Sequence, residues 1–159
     1  MKFRVLGLAA SLAAVGAWSV PAHPVSPARQ AVTYRAQLNG ANETPPTKST
    51  ATGTATFVLN GNRLRYTVTV LGLSGPATMA HVHVGAKGAS GPPVYSFNIK
   101  KVAAGTLAEG YIDLTKEASK GVSGDSLKTL LANGHAYVNV HTAAHPGGEI
   151  RGQVERVRE

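Results

Sequence analysis

The chain has no cysteine among its 159 residues. That excludes disulfides, zinc–thiolate clusters, CxxC redox chemistry and a cysteine nucleophile together, so a metal site must use histidine, methionine or carboxylates. Acidic residues are few, 8 Asp and Glu against 16 Lys and Arg, for a formal charge of +8. No close carboxylate pair suggests glycosidase chemistry, and no Gly-x-Ser-x-Gly elbow is present. The basic residues stand singly or in pairs (Arg63/Arg65, Lys100-Lys101, Arg156/Arg158) without interleaved aromatics, a pattern that speaks against nucleic acid as partner. Net positive charge still biases non-specific association toward anionic surfaces or polysaccharides.

Long apolar runs are also lacking. The main one, Val5 to Ala17, is about 13 residues, short of the ~20 that a helix needs to cross a bilayer. It follows Lys2 and Arg4 and precedes Val20-Pro21-Ala22, so residues 1–22 read as a signal peptide cleaved after Ala22. The expectation is a secreted or periplasmic protein with no membrane span after cleavage. Residues 23–31, with prolines and no periodicity, read as a flexible N-terminal arm, and 32–159 as one domain.

Within that domain apolar residues alternate. Val32, Tyr34, Ala36 and Leu38 share one parity, as do Ala55, Phe57 and Leu59, and again Leu64, Tyr66, Val68 and Val70. Period two marks half-buried strands. Asn60-Gly61 separates the second run from the third and suits the positive φ of a tight hairpin. Further strands are expected at Met79–Val84, Val94–Lys100, Gly110–Leu114, Ala136–Thr142 and Glu149–Val157. One short helix is expected over Asp125–Ala132, capped by Asp125 or Ser126 and stopped by Asn133-Gly134. About eight antiparallel strands with one helix predict an all-β Greek-key sandwich or barrel.

The chemistry-bearing residues are histidines. His81 and His83 stand two apart in Met79-Ala80-His81-Val82-His83-Val84. On a strand, that spacing puts both imidazoles on one face, about 6–7 Å apart at Cα, where one cation can take a nitrogen from each. Met79 falls on the same face, and a thioether beside imidazoles favours copper, Cu(I) in particular. His141 shares its face with Tyr137 and Asn139 and is the candidate third ligand. Met79 and His145 are second choices, and Glu149 could be folded back by the Pro146-Gly147-Gly148 turn. The competing reading makes the histidines structural hydrogen-bonding groups, because buried polar atoms need partners. Glu149 and Arg151 are expected to pair with each other or with a neighbour.

Three stretches carry a family resemblance: Leu38-Asn39-Gly40-Ala41-Asn42-Glu43-Thr44-Pro45-Pro46; Ala80-His81-Val82-His83-Val84-Gly85 with Gly88, Gly91 and Pro92; and Gly134 to Thr142 continuing into Pro146-Gly147-Gly148-Glu149-Ile150-Arg151-Gly152-Gln153. Spanning Val32 to about Val154, they resemble a CHRD domain, a family named for chordin, an extracellular antagonist of bone morphogenetic proteins. The resemblance implies a secreted, β-rich module and supplies no catalytic residues. The His-x-His strand is also similar to that of copper–zinc superoxide dismutase, but the disulfide of that enzyme is impossible here. The sequence therefore predicts an exported binding module, leaning away from an enzyme, with a copper or zinc site at His81, His83 and His141. The alternative is a metal-free extracellular protein or polysaccharide interaction module.

Overall fold

The computed structural model describes residues 30–119 and 121–158. The expected signal peptide and nearly all of the 23–31 arm lie outside the described residues. Strands β1 (Val32–Asn39), β2 (Thr52–Asn60), β3 (Arg63–Leu71), β4 (Ala77–Val84), β5 (Pro93–Ser96) and β6 (Gly105–Asp113) are followed by β7 (Glu117–Ser119), β8 (Val122–Ser123), the helix α1 (Gly124–Ala132), β9 (Ala136–Thr142), β10 (Ile150–Gln153) and β11 (Glu155–Arg156). The main sheet is antiparallel in the order β5-β4-β9-β10-β1-β2-β3-β6, with β11 also on β1, and β7-β8 forms a separate ribbon. The sheet curls into a half-barrel, as the alternation predicts.

The alternating residues face inward. Tyr34, Ala36, Leu38, Ala55, Phe57, Leu64, Tyr66, Val68 and Val70 are buried, while Val32 and Leu59, at the strand ends, are partly covered. Curling carries the β5 edge over β3: the Tyr95 and Phe97 rings lie 5.8 Å and 5.0 Å from Tyr66. The β2–β3 loop is Gly61-Asn62, because Asn60 already pairs with Arg63. Gly61 has φ +58°, and Asn62 does not share the positive φ, the pattern of a loop with glycine first.

Some boundaries differ from expectation. Val94–Lys100 is strand only to Ser96, whereas the Gly110–Leu114 strand already begins at Gly105. The last expected strand is interrupted at Val154, whose backbone N–H turns to Ala136. The α1 cap is Ser123, not Asp125 or Ser126: its Oγ accepts from the Ser126 N–H at 3.1 Å. This leaves Asp125 in the first turn, where its charge suits the helix dipole. Gly134, at φ +66°, provides the expected stop.

The strand that positions the site is β9. All seven of its residues are buried, although only one face meets the core. Val138 and Val140 belong to the apolar cluster. Tyr137, Asn139 and His141 point the other way, beneath loops that carry the glycine- and proline-rich motifs.

Candidate metal centre

Strand β4 lies antiparallel to β9, with Met79 opposite His141, His81 opposite Asn139 and His83 opposite Tyr137. Two histidines from one strand and a third from its neighbour therefore share one face. Their ring centroids lie 5.5 Å (His81–His83), 5.2 Å (His81–His141) and 6.3 Å (His83–His141) apart. One ligand nitrogen from each falls within 4.8 Å of the others.

Backbone carbonyls set the tautomers of two rings. His83 Nδ1 is 2.9 Å from Gly91 O, and His141 Nδ1 is 3.0 Å from Pro146 O. A carbonyl can only accept, so both Nδ1 atoms carry the proton and both Nε2 atoms present a lone pair. Metal-ligating histidines are commonly held this way, by an outer acceptor on the far nitrogen. The His83 Nε2 is buried and has no hydrogen-bond partner. His141 Nε2 faces His81 Nδ1 at 3.3 Å. Two nitrogens on a tetrahedral ion at ~2.0–2.1 Å would be separated by about 3.3 Å, so this pair already has the spacing of one coordination edge.

The rings are held neutral. Burial, then the His141 and His83 neighbours, push His81 down to about 4; burial also lowers His83 and His141, against the carbonyl bonds that favour their charged forms. Neutral imidazole is the form that ligates metal.

The second-choice residues sit differently. Met79 is 47% exposed and beside His141 in register. His145 is half-buried in the turn, its backbone bonded to Thr142 and Gly148, and its ring is outside the three-histidine group. Glu149 is wholly buried, and its carboxylate accepts four hydrogen bonds, from Ser49 Oγ (2.8 Å), the Ser74 N–H (2.8 Å), Ser74 Oγ (2.6 Å) and Thr142 Oγ1 (2.6 Å). Burial alone would raise its pKa, but these donors outweigh it and hold the carboxyl below its usual range. Glu149 thus ties strands to loops and pairs with neighbours rather than with Arg151, the second of the two expected arrangements. Arg151 is instead buried with its guanidinium 3.5 Å over the Tyr137 ring, donating to Ala89 O and, at 3.5 Å, to Thr44 Oγ1. Tyr137 also stacks on His83 at 4.9 Å and holds both backbone groups of Gly91. Only glycine fits at 91, since a Cβ would strike the Val84 carbonyl.

Sequence reasoning missed Glu43. It is 7% exposed and sits under the loop motif, where its Oε2 accepts from Asn139 Nδ2 at 3.4 Å. Its Oε1 and the Asn139 Oδ1 are both unpartnered and both lie beside Gly148. Burial raises the Glu43 pKa to about 7, against the lowering effects of Arg151, Asn139 and the Thr44 backbone. A proton on the carboxyl would supply the donor that two adjacent acceptors lack. The only signal in the sequence was an acid inside Asn42-Glu43-Thr44-Pro45-Pro46.

The pH dependence of stability follows. An unfolded Glu43 releases its proton near 4.5, whereas the folded one keeps it to about 7, so this group costs stability as pH rises through that window. Glu43→Gln, which keeps a donor, is expected to match the wild type near pH 4.5 and exceed it by about 2 kcal/mol at pH 8. Urea unfolding at the two pH values reads the difference, and an equal or lower stability of the variant at pH 8 would contradict a neutral Glu43.

The fold and this face together define an antiparallel β half-barrel that carries three converging imidazoles under glycine-rich loops. The family model of the CHRD domain matches residues 34–154, and the chain belongs to that family. No curated protein gives a significant match. No helix among the described residues is long and apolar enough to cross a membrane.

Proposed function

We propose that this is an exported CHRD-domain binding module that holds a copper or zinc ion on His81, His83 and His141. The observation that carries the reading is the buried, unpartnered His83 Nε2 on a ring whose ligand atom lies within 4.8 Å of those of His81 and His141, themselves 3.3 Å apart at Nδ1 and Nε2. An orphaned buried acceptor costs about 1–3 kcal/mol, and a cation removes that cost. His83 Nε2 and His141 Nε2 supply two ligands. His81 contributes Nδ1 once its proton moves to the other ring nitrogen. The ligand atoms lie within 4.8 Å of one another, so binding requires the rings to close toward the ~3.3 Å of a coordination edge. Three imidazoles suit zinc and either copper state, and Met79, opposite His141 in register, is the candidate soft ligand for Cu(I). The burial that keeps the rings neutral would preserve binding below the ~6.5 at which ordinary imidazoles protonate.

Thermal unfolding tests this. With Zn(II), Cu(II) or Cu(I) at about a hundredfold over Kd, the midpoint should rise by on the order of 10 °C, and the rise should vanish in His81→Gln. No rise with any of the three ions, or an equal rise in the variant, would overturn the assignment.

A further inference from the structure

Away from the histidines, the sheet's polar face continues across β10 and β1 into a groove of about 410 Å³. Arg35, Lys87, Arg151 and Arg156 line it, with Glu155 the one acidic residue of the lining. Among the described residues, none of these four cations has a carboxylate within ion-pair distance, although Arg35 and Glu155 are cross-strand partners. Arg35, Lys87 and Arg156 are exposed at the rim. Arg151 is only 3% exposed and forms the floor. A buried guanidinium normally keeps a counter-charge, because the unpaired charge is costly. Here its partners are a carbonyl, a hydroxyl and an aromatic face. Arg151 acts on Glu43 electrostatically, but that carboxyl is shifted toward the neutral form by burial and lies beyond ion-pair distance.

We propose that this groove binds an acidic sugar, with a carboxylate or sulfate seated over Arg151 and the rim cations around it. The volume holds one or two sugar rings, and the rest of a longer chain can continue out of the open groove. Gln37 adds an amide at the wall, able to donate to or accept from hydroxyls. Val157 is the one apolar side chain of the lining, so a peptide finds no pocket for an anchor residue. Tyr137 is covered by Arg151 and stacked on His83, which leaves no open aromatic face for a nucleobase.

Calorimetric titration of the full chain with trigalacturonate tests the proposal, with galactotriose, inorganic phosphate and a short single-stranded DNA as comparison probes. Trigalacturonate should bind and weaken about tenfold between about 20 and about 200 mM salt. Arg35→Gln/Arg156→Gln, at exposed positions and checked for folding by circular dichroism, should weaken it by about tenfold more, while His81→Gln should leave it unchanged. Equal binding by the double variant, equal binding of galactotriose, or no binding of trigalacturonate would overturn the groove. Phosphate or DNA binding as tightly as the uronate, with the same loss in the variant, would overturn the sugar assignment.

Discussion

His83→Ala is expected to weaken zinc or copper binding at least about a hundredfold. Removing merely the outer partner of a ligating histidine typically costs 10–100-fold, so removing the ligand itself should cost no less. The same change should be mild for the metal-free fold. The ring gives up its stack on Tyr137 and its bond to Gly91 O, but it also removes an unpartnered buried nitrogen. These offset, and the expected cost in chelator is about 1 kcal/mol. A histidine serving the fold alone would show the reverse pattern, a large stability loss with affinity for metal absent from both proteins. Equilibrium competition against a chelator, paired with urea unfolding, separates the two. The contribution of His81 to the stability of the metal-free protein should also be lost as pH falls from about 6.5 toward 4, opposite in sign to that of Glu43, so it is read as the difference between the wild type and His81→Gln. His81 resists protonation until about 4 when folded and protonates near 6.5 when unfolded, so the unfolded state takes up protons first.

Glu149→Ala should damage the fold strongly, costing about 3 kcal/mol. The carboxylate satisfies four donors from Ser49, Ser74 and Thr142. Deleting it leaves the buried Thr142 hydroxyl without this acceptor, unties the half-buried Ser49 and the exposed Ser74, and opens a cavity. Thr47 Oγ1 also donates to the Glu149 backbone carbonyl at 2.9 Å, so the loop leading to β2 is tied at the same residue. The carboxyl titrates below its usual value, so its contribution is present above about 4.5 and fades as pH drops through the lower folded value. Chemical denaturation at pH 7 measures the loss; a variant within 1 kcal/mol of the wild type would mean that the donors find other partners.

Period-two alternation placed the long strands because their burial on one face is a local property of each run. Tyr34, Phe57, Leu64 and Val68 are core residues as the parity requires. The His81/His83 pair was legible for the same reason. His141 was legible only as a same-face polar residue on another strand, and its closeness came from the β4–β9 pairing. What could not be read were contacts made by loops folding over β9. Glu43, which meets Asn139 96 positions away in sequence, and Arg151, which reaches Ala89, depend on chain paths that no local period encodes. The Ser123 cap was missed for a smaller reason: two further capping residues, Asp125 and Ser126, follow it within three positions.

The most direct test is X-ray absorption on the chain loaded with one equivalent of zinc. Three imidazole nitrogens at ~2.0–2.1 Å are predicted, falling to two in His83→Ala. Fewer than three imidazoles in the unaltered protein, or an identical spectrum from the variant, would contradict a centre built on His81, His83 and His141.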